Sequence, residues 1–192
     1  MFGNLSGPTL LVILFIVLTT CLTTTPPRFV TSDAQLLHFG ATGVRPQGRS
    51  GGGIAGIRLA AGQQVVWFGA VDPEAPEGSV VVTVAGASTA LPGTESGAIK
   101  VTPFSEYPAK GRATGGVRCH RFLKGEDTLV FAWVGTAPAR AAAASGAPVD
   151  LPPATGRRDG SGVPANQPIA ACAGPVAGRP IAGGAPAAGM QG

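Results

Sequence analysis

The stretch Gly48–Val71, GRSGGGIAGIRLAAGQQVVWFGAV, occurs a second time 63 residues later as Gly111–Val134, GRATGGVRCHRFLKGEDTLVFAWV, without a gap. Gly48/Gly111, Arg49/Arg112, Gly52/Gly115, Gly53/Gly116, Arg58/Arg121, Gly62/Gly125, Phe68/Phe131 and Val71/Val134 are identical pairs. The register extends upstream, where Leu36 falls on Ile99 and Val44 on Tyr107. Self-similarity at one fixed period marks a repeated structural unit of the kind that builds a propeller blade. Two copies are the fewest that can show a repeat, so further copies outside this sequence are compatible with it.

Each copy has the local chemistry of a glycine-dense basic turn followed by strands. Arg49-Ser-Gly-Gly-Gly53 is too rich in glycine for a helix, and glycine supplies positive φ or close backbone approach. Ile54, Ile57 and Leu59 then lead to a turn at Ala60-Ala61-Gly62, and Gln64–Val71 is an apolar run expected to form a buried strand. The second copy repeats strand, turn and strand over Val117–Phe122, Lys124–Asp127 and Leu129–Val134, with Gly125 on the register of Gly62. Phe29–Phe39 reads as strand, turn at Ser32-Asp33, strand, while Ser79–Ala85 and Ala98–Thr102 read as two more strands. The expected fold is all-β: a partial pinwheel of about two propeller-like blades, plus a degenerate strand region.

Glycine and proline number 30 and 18, enough to favour disorder if spread evenly. They are not evenly spread. Residues 29–175 carry the repeats, with unit one at 29–72, unit two at 78–135 and a degenerate unit at 148–175. Ala137–Ser145, APARAAAAS, has the alanine content for a short helix confined by Pro138 and Pro148. Residues 176–192 are mostly Gly, Ala and Pro and are expected to be disordered.

Residues 1–28 differ from all that follows. Thr9–Leu22 is apolar and uncharged for 14 residues, and even a stretch from Leu5 to Leu22 falls short of the roughly 20 residues a spanning helix needs. A secretory signal wants a basic start, yet the first Lys or Arg is Arg28. Three readings stay open: a weak anchor or uncleaved signal through residues 5–22, a buried or disordered extension, or a non-native leader.

No constellation for catalysis, metal or cofactor stands out. His38 and His120 lack Ser or Asp partners at motif spacing, and Cys119-His120 lacks a second ligand pair. GRSGGG lacks the lysine ending of a phosphate loop. The basic residues are the exception. Arg45, Arg49 and Arg58 in unit one and Lys100, Lys110, Arg112, Arg118 and Arg121 in unit two gather around the glycine turns. Arginines held in register from blade to blade suit a duplex phosphate backbone, which positions DNA without reading sequence. The competing reading is that they only solubilise. The net charge of +4 does not choose between the two.

SDAQLLHF, VRPQGRSGGGIAGIRL, IKVTPFSEYPAKGRATGGVR and TGRRDGSGVP resemble the C-terminal β-pinwheel domain of bacterial type IIA DNA topoisomerase A subunits, those of gyrase and topoisomerase IV. Lys100, Thr102, Pro103, Ser105, Glu106, Tyr107, Arg112, Gly115, Gly116, Val117 and Gly125 carry the rhythm. The resemblance implies a propeller-like ring whose basic rim bends duplex DNA. It also implies a cytoplasmic, nucleoid-associated parent, an ATP-dependent isomerase, in which the domain's partners are the breakage-reunion domain and the ATPase B subunit. The family's active-site tyrosine and its preceding arginine have no counterpart in these residues, so the chain is expected to be non-catalytic alone. VRPQGRSGGG is only loosely similar to the gyrase glutamine-arginine-arginine-glycine-glycine box, which favours the topoisomerase IV-like form. The alternative is a membrane-anchored or exported β-rich interaction protein.

Overall fold

A computed structural model describes residues 11–14, 26–44, 51–70, 78–91, 93 and 96–175. Thirteen strands occur among them: β1 (Leu11–Leu14), β2 (Pro27–Thr31), β3 (Gln35–His38), β4 (Ile54–Arg58), β5 (Val65–Ala70), β6 (Ser79–Gly86), β7 (Ala98–Pro103), β8 (Val117–Arg118), β9 (Thr128–Thr136), β10 (Arg140–Ala142), β11 (Pro148–Val149), β12 (Val163–Pro164) and β13 (Ala171–Ala173). The only helical pieces among the described residues are two single 3-10 turns, Ala41–Gly43 and Phe104–Glu106. The fold is all-β, as the sequence implied.

Two antiparallel four-stranded sheets share one plan. Sheet one runs β5-β2-β3-β8 and sheet two β9-β6-β7-β12. Sheet three, β11-β10-β13, repeats three of the four places. Leu36 pairs with Val30 and Val117, and its repeat mate Ile99 pairs with Val84 and Val163. The fourth strand of each sheet therefore comes from the next unit: β8 belongs by sequence to unit two but completes sheet one. Backbone bonds around this exchange recur as well. Cys119 N–H donates to Ala34 O at 2.8 Å and Ala165 N–H to Gly97 O at 3.0 Å, while Ala34 and Gly97 are repeat mates. Both have positive φ, +58° and +67°, so the hairpin geometry is kept even where glycine is replaced by alanine. β4, the mate of β8, pairs with β1.

Three apolar layers follow from strand alternation. Val30, Leu36 and Val117 meet Val81, Ala85, Leu129 and Val134 between sheets one and two. Val80, Val82, Val84, Ile99 and Val101 face Ala141 and Val149 of sheet three. Phe29, Leu37, Ile57 and Leu59 fill the opposite face of sheet one. β6 is buried along its whole length, which explains its unbroken SVVVTVAG pattern, because a strand covered on both faces needs no polar side.

Four expectations need correction or closer placement. β5 lies where the sequence put a strand, but it is not a buried one; Phe68 is 44% exposed, because Phe29 leans on it from one side only. Strand geometry in the second copy stops at Arg118, since Cys119 and His120 leave the sheet edge to pack inward. The helix propensity of residues 137–145 loses to pairing: Arg140–Ala142 is a strand held between Pro148–Val149 and Ala171–Ala173. Within the apolar stretch 5–22 only Leu11–Leu14 are described, as a strand, and no helix among the described residues is long and apolar enough to cross a membrane. The expected tail, 176–192, lies outside the described residues.

Candidate nucleic-acid interface

The second copy of the glycine turn is fastened to the first copy's strands. Lys110 N–H donates to His38 O at 3.1 Å, Ala113 N–H to Gly56 O at 2.8 Å, and Arg58 N–H to Thr114 O at 3.1 Å. Thr114 Oγ1 closes the turn on Gly111 O at 2.8 Å. Gly116 leaves it at φ +79°, and a Cβ there would stand 2.5 Å from Leu36 O. The turn is thus a rigid bracket between β3 and β4, with little freedom to lose when a ligand binds.

On this bracket the structure brings Arg58, Lys110 and Arg112 together, all exposed. Arg112 has two roles available to it, since Nη1 donates to Ala55 O at 2.9 Å and leaves the rest of the guanidinium free for solvent or ligand. Arg118 and Arg121 are exposed on and just beyond β8, alternating with buried Val117, Cys119 and His120. Arg45 and Arg49 lie outside the described residues.

Lys100 does not join them. It is 3% exposed, and its ammonium donates to Cys119 O at 2.7 Å, to Arg158 O, and to Gly160 O at 3.4 Å. The expectation that it contacts a ligand is corrected. Its place in the register is that of Leu37, an inward position of the central hairpin. Burial pushes the ammonium down to about 8, and the carbonyls around it favour its charged form. A second buried cation, Arg28, lies with its guanidinium 3.8 Å from the Phe104 ring centroid, a cation–π contact inside the fold and not a rim position.

Two further basic residues, Arg157 and Arg158, stand outside the 63-residue register. Gly156-Arg157-Arg158 restates Gly111-Arg112 before the short β12, and Arg121 N–H donates to Gly160 O at 3.0 Å just as Arg58 does to Thr114. One inserted residue in this turn, and an interval shorter than 63, hid the match.

His120 is internal, and His38 is half-buried with its Nε2 2.8 Å from Tyr107 O. His120 Nε2 accepts from Gly162 N–H at 3.2 Å, so its Nδ1–H is the donor to Thr83 Oγ1 at 2.9 Å. That tautomer is neutral, and burial, aided by the Lys100 charge, pushes the imidazole down to about 4. The unfolded chain therefore binds more protons than the folded one between pH 4 and 6.5. Stability should rise with pH across that window, by up to about 1.4 kcal/mol per unit from this group. In His120→Gln that part of the slope should vanish; thermal melts from pH 4 to 7 of both proteins check it, and an unchanged slope refutes it. No cluster of three or more potential metal ligands occurs among the described residues.

The comparisons agree with this architecture. Residues 29–72 and 93–132 match the family model of the DNA gyrase C-terminal domain, a β-propeller. The chain is 36% identical over 104 residues to the topoisomerase subunit TopoM of Mycolicibacterium smegmatis, covering 54% of this chain and 13% of that subunit. It is 43% identical over 76 residues to the DNA gyrase A subunit of Aeromonas salmonicida, covering 40% and 7%. The crystal structure of the C-terminal domain of DNA topoisomerase IV superposes with a TM-score of 0.60 at 16% identity, over 78% of this chain and 46% of that one. The chain thus spans a small part of the length of these topoisomerase subunits.

Proposed function

We propose that this chain, whose repeats resemble the C-terminal β-propeller domain of gyrase and topoisomerase IV A subunits, binds duplex DNA without sequence preference. The observation that carries the reading is the bracket at 110–116, which holds exposed Arg58, Lys110 and Arg112 on a pinned backbone while Arg118 follows on β8 and Arg121 just beyond it. Such a surface meets phosphates; among the described residues it offers no helix for the major groove, so base edges go unread. In a type IIA topoisomerase the strand-passing chemistry would belong to the breakage-reunion domain and the ATPase B subunit. This chain would guide the duplex, at the nucleoid.

The test is binding to unrelated duplexes of equal length across a salt series. Each phosphate neutralised contributes about −0.9 to the log–log slope. The expected result is a steep slope, the same for every sequence. Salt-independent binding, a strong preference for one sequence, or no binding would overturn the reading.

A further inference from the structure

The polar core between sheets one and two is not demanded by the fold. Thr83, Lys100 and His120 are each 3% exposed or less. Their mates one repeat earlier are Phe29, which holds the pairing place of Thr83, and Leu37 and Ile57, 63 residues before Lys100 and His120. Those three form an apolar cluster on the corresponding face of sheet one. The same hairpin, the same pairing and the same crossing strand are therefore built without a polar atom at these positions. Burying an ammonium is costly unless its donors are used, so Lys100 must be explained by what it holds.

What it holds is a turn. Two of its three acceptors, Arg158 O and Gly160 O, lie in the segment 156–160, and the third, Cys119 O, lies two residues before Arg121. Arg121 is joined to the same turn through Gly160 O, as Arg58 is joined to the Arg112 turn through Thr114 O. Arg157 is exposed and Arg158 half-buried, with Asp159 the one acidic residue of the turn and close enough to support the Lys100 charge. Unit two and the degenerate unit thus reproduce the Arg58–Arg112 arrangement as Arg121–Arg157. The turn closes on itself through Gly160 N–H to Arg157 O at 3.2 Å but lacks the side-chain bond that Thr114 Oγ1 makes to Gly111 O in its counterpart; Lys100 also grips it from beneath.

We propose that Arg157 and Arg158 form a further phosphate-contacting site beside Arg121, and that Lys100 is the positioning residue that presents it. The inference rests on the duplex-binding reading and extends it along the chain to a unit whose repeat is otherwise degenerate. Lys100 itself touches no phosphate. Its effect on binding passes wholly through the turn.

The experiment measures salt-titrated affinity for one mixed-sequence duplex, using the full chain throughout. In Arg157→Gln/Arg158→Gln the log–log slope should flatten by about 2 and affinity at 0.1 M salt should fall roughly 60-fold, with the melting temperature unchanged. Lys100→Met should lose a comparable share of slope and affinity, and adding it to the double arginine variant should change nothing further. Because Lys100→Met alone leaves Thr83 and His120 behind, a second variant transplants unit one's solution, Thr83→Phe/Lys100→Leu/His120→Ile. It should stay folded and bind like the arginine variant. A wild-type chain that binds with a steep slope while Arg157→Gln/Arg158→Gln binds identically overturns the site and leaves the broader reading standing. Normal binding by the folded transplant overturns the role of Lys100. A wild-type chain that does not bind overturns both readings.

Discussion

Gly116→Val is expected to lose about 4 kcal/mol of stability, while Gly115→Val, one residue away, should stay within about 0.5 kcal/mol of wild type. Two costs coincide at Gly116. Its φ of +79° is one a β-branched residue resists, and a Cβ would stand 2.5 Å from Leu36 O and 2.8 Å from Leu36 C. Those atoms are backbone of β3, paired on both sides, so they cannot move away as a flexible side chain would. Around Gly115 there is no heavy atom within 4 Å of the Cβ position, and its φ lies outside the left-handed region. Gly162, on the same register before β12, has a similarly close approach, 2.8 Å from Ala98 C. Denaturant melts of the two variants decide the matter. If Gly116→Val unfolds within 1 kcal/mol of wild type, roughly the cost of an ordinary substitution, the close approach to Leu36 is wrong.

Removing Arg58, Arg112, Arg118 and Arg121 together, each to alanine, should weaken duplex binding by roughly three and a half orders of magnitude at 0.1 M salt and flatten the salt slope by about 4. Among the described residues the side chains of Arg58, Arg118 and Arg121 have no structural duty, and only Arg112 gives up an intramolecular bond, to Ala55 O. The loss of that exposed hydrogen bond should lower stability by no more than about 1 kcal/mol. Affinity and fold are thereby separated: the variant should melt as one species close to wild type while its binding collapses. A variant that keeps its slope would show that these arginines only solubilise the sheet edges.

Much of the architecture was legible because the repeat is written at a single offset. Phe29–Phe39 is strand, turn and strand, Ser79–Ala85 and Ala98–Thr102 lie on strands, and the turn glycines Gly53, Gly62, Gly116 and Gly125 all have positive φ. What remained hidden has physical causes. Sharing of β8 and β12 between units cannot be read from periodicity, because a strand's own pattern does not name its partner. Charge alone groups Lys100 with the surface cations. Its register mate Leu37 marked the position as inward, and a cation standing where the other copy has leucine is the signal that separates an internal tie from a rim contact. Arg157 was obscured by one inserted residue. For Arg140–Ala142, alanine propensity pointed to a helix, but the preference is a few tenths of a kcal/mol per residue and yields to two flanking strands.

The exchange of β8 and β12 sets how this molecule comes apart. In stacked repeats whose units are separately complete, ends can fray while the middle persists, and cooperativity is set by weak interfaces between units. Here β3 keeps one of its two ladders only while Val117 stays paired to Leu36, and β7 only while Val163 stays paired to Ile99. Melting of unit two strips an edge from sheet one, and melting of the degenerate unit strips one from sheet two. Protection of the β3 and β7 amides against hydrogen exchange is therefore tied to the neighbour that follows each in the chain. Denaturant should release these amides together, as one opening event spanning several repeats.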